Sequence, residues 1–289
     1  ANVKRCLLVI TGAFGLTGGI AASTQLAIYA LIDAGYQLDI FAFNEVSQNA
    51  NVYHALEGVN YWAADNNKMR FALAVWRALL LKRYEFAFSD HINVASILAP
   101  AALLSLIRYV VRVHLIEAVP PNPDFQGRLG LRFAWRIHAS EYAKREVLKL
   151  FPNLQIDVVP LALDPGIRFD LPDNSPKPDL TFAAVDDEVR QLHSRVILLV
   201  GRMASTEQYK GQDTLIQAMP LILEQCPEAQ LVLAGKGDDL PRLLRLAQAQ
   251  PREVQARIFM PGFVPDEKLD QLYQSAYLFA MPSRSEGFG

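Results

Sequence analysis

Cysteine is scarce in this 289-residue chain. Cys6 falls in an apolar run and Cys226 near a helix end, so the pair builds neither a disulfide framework nor a metal knuckle. Both read as reduced thiols, which places the protein in the cytoplasm. An excess of one charge is missing too: 28 Lys and Arg face 30 Asp and Glu, for a net charge of −2. That balance gives no electrostatic case for a nucleic-acid partner. Long apolar runs are also absent. The uncharged stretch over residues 92–107 is interrupted by Pro100 and ended by Arg108, short of the roughly 20 residues a spanning helix needs. A peripheral membrane contact at the cytoplasmic face stays open. Finally, no Asp-x-Asp pair occurs; Asp186-Asp187 and Asp238-Asp239 are adjacent instead.

What is there is an ordinary globular composition, 51% apolar and 20% charged, at a length that suits two domains with separate cores. Residues 5–10 form a buried parallel-type strand. The loop Thr11-Gly12-Ala13-Phe14-Gly15-Leu16-Thr17-Gly18-Gly19 follows, then a helix over 20–34 ended by Gly35, then a strand over 37–43. This is half of a Rossmann unit, with its Gly-rich loop meeting a helix N-terminus where anions are favoured. The spacing Thr11-Gly12-x-x-Gly15-x-x-Gly18 resembles that of the extended short-chain dehydrogenases, which bind NAD(P). Their chemistry needs a Tyr-x-x-x-Lys pair, yet none of the ten tyrosines has Lys four residues on; Tyr142 is followed by Glu146. A tight turn that merely lets helix pack on strand is the plainer alternative.

The rhythm continues. Residues 69–81 predict a helix, 85–89 a strand ending at Asp90-His91, 94–106 a helix and 109–113 a strand ending at His114. Both histidines then sit at strand carboxyl ends facing one crevice. His91 is equally readable as structural, whereas His114-x-x-Glu117 opens a loop. Pro120, Pro121 and Pro123 with Gly127 and Gly130 read as a loop over 120–130, either a mobile acceptor-side segment or an ordinary surface one. A strand over 135–139 leads to Ser140, a helix cap, and 156–160 closes the first domain, 1–165. The prolines and acids of 164–194 read as the crossover into a second domain, 166–289.

There the apolar run 196–200 stops at Gly201-Arg202, and Tyr209-Lys210-Gly211 follows. Two cations just past a parallel strand lie where open α/β sheets bind ligands. Arg offers a planar fork and Lys a point charge, a combination that suits a diphosphate. Helices over 213–225, 239–248 and 266–275 alternate with strands over 230–234, 257–260 and 277–281. Alternation in both halves predicts two doubly wound α/β domains.

Several motifs in order carry a resemblance. Val200-Gly201-Arg202 with Tyr209-Lys210-Gly211, Ala234-Gly235-Lys236-Gly237, Gly262-Phe263-Val264 and Pro282-Ser283-Arg284-Ser285-Glu286-Gly287-Phe288-Gly289 resemble the donor domain of the retaining glycosyltransferases of family 4. Gly18-Gly19, His114 and Ser140-Glu141 agree more loosely in the first half. The resemblance implies a GT-B fold, two Rossmann-like domains facing a central cleft. It implies transfer of a hexose, with retention and without a metal, from a UDP-sugar or GDP-sugar to a glycan, lipid-linked or small-molecule acceptor. Arg202 and Lys210 would hold the diphosphate. Backbone amides of Gly18, Gly19 and Gly287–Gly289, with Phe288, would add contacts to phosphate, and Gly235, Phe263 and Val264 would line the nucleotide. Glu286 would accept from donor-sugar hydroxyls, and His114 would contact the sugar near its reacting carbon. The chain departs from the family in two places. A second Glu expected eight residues after Glu286 is not in the sequence, which reads as a truncated second domain, and Leu161-Ala162-Leu163-Asp164 stands where an Asn-Gly pair is usual. Nucleotide-sugar 2-epimerases, glycogen-synthase-like enzymes and a non-catalytic sugar-nucleotide binder remain as alternatives.

Overall fold

The computed structural model describes residues 4–16, 18–46, 56–118, 123–162, 179–193 and 195–286. The chain divides into two compact units, one over residues 1–167 and one over 168–286. The expected boundary at 165/166 and the Leu163-Asp164 departure lie outside the described residues.

The first unit is a seven-stranded parallel sheet in the order β3-β2-β1-β4-β5-β6-β7. Its strands are β1 (Arg5–Ile10), β2 (Gln37–Ala42), β3 (Val59–Ala63), β4 (Phe86–Ser89), β5 (Tyr109–Arg112), β6 (Arg136–Ala139) and β7 (Ile156–Val158). Residues along β1 alternate between two cores, as the period of a strand demands. Leu7 and Val9 join a core with α2 (Lys68–Leu81), while Cys6, Leu8 and Ile10 join one with α1 (Gly19–Asp33). Burial on both faces explains why β1 is an unbroken apolar run rather than an alternating one.

Three expectations in this unit are corrected. Strand β3 lies between the strand expected over 37–43 and the helix expected over 69–81, where no element is expected. The helix expected over 94–106 is broken into α3 (Ile92–Ala95), a 3₁₀ turn (Ser96–Leu98) and α4 (Ala99–Leu103). Pro100 lies in the first turn of α4, where its missing N–H costs nothing. The segment expected as a loop over 120–130 contains α5 (Phe125–Arg132), capped by Asp124, whose side chain accepts from the Gly127 N–H at 2.9 Å. Its glycines are contact residues rather than hinges. A Cβ on Gly130 would stand 2.0 Å from the Ile92 carbonyl oxygen, so α5 and α3 meet backbone to backbone. Residues 119–122 lie outside the described residues. After β6, Ser140 caps α6 (Glu141–Leu150) by accepting from the Ala143 N–H at 3.1 Å.

The second unit holds a four-stranded parallel sheet in the order β12-β11-β10-β13 and a two-stranded antiparallel hairpin, β8 (Thr181–Ala183) with β9 (Val189–Gln191). The hairpin corrects part of the stretch expected as crossover. The sheet comprises β10 (Val196–Val200), β11 (Gln230–Ala234), β12 (Ile258–Gly262) and β13 (Ala276–Phe279). Helices α7 (Gln212–Gln225), α8 (Leu240–Gln248) and α9 (Arg252–Gln255) cover one face. Helix α10 (Asp266–Ser275), through Leu272, and the hairpin, through Leu180, Ala184 and Leu192, cover the other. Both units are doubly wound, as the alternation of strands and helices predicts. No described helix is long and apolar enough to cross a membrane.

Candidate functional site

In the second unit the carboxyl end of β10 opens into a turn that closes on Gly211. Gly211 has φ +79°, and a Cβ there would stand 2.6 Å from the Pro282 carbonyl oxygen, so only glycine fits. This brings residues 201–211 against the segment that follows β13. The Arg284 N–H donates to the Tyr209 carbonyl at 2.9 Å. Gly235 and Gly237 make equally close approaches from the end of β11, to Gly201 and Met203. The three strand-end turns therefore stack through their backbones.

Arg202 and Lys210 are held by one carboxylate. The Arg202 guanidinium donates to both oxygens of Glu207, and Lys210 Nζ sits 2.7 Å from Glu207 Oε2. Burial pushes the Glu207 carboxyl up, but these two cations outweigh it and hold it below the usual range. The cations differ in depth: the Arg202 side chain is 68% exposed and Lys210 only 18%. Tyr209 lies between Glu207 and Glu286; burial, reinforced by these two carboxylates, pushes its phenol up to about 12. Glu286 Oε1 accepts from Ser283 Oγ at 2.9 Å. Beyond β12, Val264 is buried while Phe263 is exposed, with Lys236 Nζ 4.9 Å from its ring centroid. Gly287, Phe288 and Gly289 lie outside the described residues. Sequence reasoning misses Glu207, which sits in a 3₁₀ turn (Ser205–Lys210) at non-helical φ/ψ, with no period to mark it.

In the first unit the Gly-rich loop has a different character. Its N–H groups are already taken by two buried carboxylates. Asp90, at the end of β4, accepts from the Thr11 N–H at 2.8 Å, Thr11 Oγ1 at 2.7 Å and Thr24 Oγ1 at 3.2 Å, and also from the Gly12 N–H. Glu45 accepts from the N–H groups of Ala13 (2.5 Å) and Gly15 (3.0 Å) and from the Tyr61 hydroxyl. Amides spent on carboxylates are not aimed at a pyrophosphate, and the two acids would repel one. This removes the physical basis of the dinucleotide reading. Gly18 and Gly19, just beyond Thr17, which lies outside the described residues, stay exposed, and no side chain caps α1.

His91 and His114 resolve into different roles. His91 Nδ1 accepts from the Asn93 N–H at 3.2 Å and caps α3, the structural alternative. His114 lies just beyond β5, its N–H donating to Glu117 Oε1 at 2.5 Å. Burial and then Arg112 push its imidazole down to about 4, so it is neutral at pH 7. The ring donates to the Asp90 carbonyl, and its Nε2 has no partner among the described residues. Nδ1 therefore carries the proton, and Nε2 is a lone-pair acceptor.

Two doubly wound units, the second with cationic, glycine-packed turns at its strand ends, define a fold of the GT-B class. Residues 185–289 match the family described as "Glycosyl transferases group 1". The chain is 32% identical over 124 residues to mannosylfructose-phosphate synthase of Agrobacterium fabrum, a match covering 38% of this chain and 27% of that protein. It is 36% identical over 80 residues to a GDP-mannose-dependent monoacylated alpha-(1-6)-phosphatidylinositol monomannoside mannosyltransferase of Corynebacterium glutamicum, covering 28% and 20%. The chain thus spans well under half the length of the curated relatives it matches. Anabaena HepE in complex with UDP superposes with a TM-score of 0.70 at 17% identity, over 99% of this chain and 76% of that one. A point mutant of S. aureus TarM, in a complex that includes UDP, gives 0.68 at 9%, over 99% and 82%.

Proposed function

We propose that this chain belongs to an enzyme that moves a hexose from a nucleoside-diphosphate sugar to a glycan or lipid-linked acceptor, with retention and without a metal. The carrying observation is the pair Arg202 and Lys210 on the shared Glu207, beside the segment bearing Glu286. Breaking the sugar–phosphate bond leaves its electron pair on the diphosphate, where two preorganised cations stabilise the growing charge. The acceptor oxygen takes the vacated bond at the sugar carbon, and its proton passes to the leaving diphosphate. Glu286 accepts from donor-sugar hydroxyls, and the Nε2 of neutral His114, without a partner among the described residues, is able to accept from a substrate hydroxyl. Phe263 and Val264 flank the base.

Uridine is the donor base we favour, since the neighbours HepE and TarM are complexes with UDP; guanosine is the alternative that the mannosyltransferase relatives raise. On the acceptor side, α2 exposes Met69, Leu73, Leu80 and Leu81 and carries Lys68, Arg70 and Arg77 without an acid. That face suits an anionic membrane surface. The two cysteines, both free, suit a cytoplasmic enzyme.

Calorimetric titration with UDP, GDP and NADH, repeated with a chelator, tests the donor reading. Micromolar binding of UDP or GDP that survives the chelator is expected. Tight NADH binding without a nucleoside-diphosphate signal would sink it.

A further inference from the structure

Arg112 ends β5 on the face that packs under α1. Its Nη1 donates to Ser23 Oγ at 2.9 Å, while its Nε is buried with no partner among the described residues. The Nε–H and the neighbouring Nη2 make up the side-on fork of a guanidinium, the edge that grips two oxygens of a carboxylate or phosphate at once. Arg112 forms no ion pair with any described residue, although Arg202, Lys210 and Lys236, the cations near strand ends in the second unit, each have a carboxylate or a ring against them. Burying a guanidinium without a counter-charge is costly. Its neighbours add no negative charge: His138 is its register partner on β6, and His114 follows two residues on. Asp157, across from His138 on β7, is taken by Arg136 at 3.3 Å.

We infer that Arg112, with His138 beside it, binds an oxyanion of the acceptor, a phosphate or a carboxylate, so that the acceptor is an anionic sugar or polyol. That the oxyanion belongs to an acceptor rests on the glycosyltransferase reading; the anion site does not. The donor diphosphate is the other source of oxyanions, but the second unit supplies its own two cations for that group.

The test is calorimetric titration of the full chain with inorganic phosphate and, separately, with UDP. The parent is compared with Arg112→Gln, Arg112→Lys and Lys210→Ala. Arg112→Gln is expected to weaken phosphate roughly tenfold or more. Arg112→Lys, which keeps the charge but not the fork, weakens it by about half that factor on a logarithmic scale. Both are expected to leave UDP affinity within about twofold, which also serves as the folding control. Lys210→Ala shows the reverse pattern. A parent chain that does not take up phosphate, or an Arg112→Gln variant that binds it like the parent, overturns the inference. So does a joint loss of UDP and phosphate in Arg112→Lys, which would assign the fork to the donor. Phosphate bound through Arg112 in a chain that ignores UDP keeps the anion site and sinks the donor reading instead.

Discussion

The two β–turn–α junctions that begin the two sheets use one geometry to opposite electrostatic ends. In the first unit the turn after β1 is tied inward: its amides close on Asp90 and Glu45, both almost fully buried. In the second unit the turn after β10 carries cations, gathered by a single carboxylate. A glycine-rich turn is therefore not an anion site by virtue of its glycines. Where its N–H groups already go decides the matter.

The comparison is sharpest at its two anchors. Lys210→Ala is expected to weaken UDP by about a hundredfold and Arg202→Ala by about tenfold, because the buried cation loses less to solvent screening than the exposed one. Calorimetry with equal losses would show that depth is not what matters. On the other side, Asp90→Ala leaves two N–H groups and the Thr11 hydroxyl without their acceptor, while Thr24 keeps the Ile20 carbonyl, which should cost about 3–5 kcal/mol in a urea melt.

Asp90 also gives the comparison a pH axis. Burial raises its carboxyl from 3.8 to about 6, despite the hydrogen bonds that pull it down. The unfolded chain thus releases this proton first, and the stability it contributes is present below pH 3.8 and lost as pH rises to about 6. The neutral His114 works the other way, losing stability as pH falls from 6.5 to about 4. Asp90→Asn, which does not titrate, should remove the first trend, on the order of 3 kcal/mol between those limits, and leave the second. Melting curves from pH 4 to 7 that keep the parent's slope in Asp90→Asn would refute the assignment.

The smallest effect concerns Glu207. Freed from competition, Arg202 and Lys210 in Glu207→Gln should bind UDP about two- to fivefold more tightly at low salt. Weaker binding would mean that Glu207 acts chiefly by holding the cations in place.

Strands β1, β10 and β11 are legible in the sequence because burial on both faces leaves an unbroken apolar run. Helix α5 is not, because Gly127 and Gly130 look the same in sequence whether they bend a chain or let two helices touch. Arg202 and Lys210 can be read from their place after a strand. Glu207 lacks any period to betray it, and Asp90 and Glu45 serve a loop far from them in sequence. Arg112 reads as the polar end of a strand, since nothing local shows that its fork lacks a partner.

The contact between Gly211 and Pro282 also bears on how the second unit comes together. Strand β10 pairs with β11 and also, in parallel, with β13, and the turn after β10 is finished by the segment that follows β13. Nothing near in sequence can complete it. Such long-range closure slows folding relative to local pairings. The cations should thus reach their final positions among the last events of folding, and a nick anywhere between α7 and β13 should erase nucleotide binding before it erases the sheet.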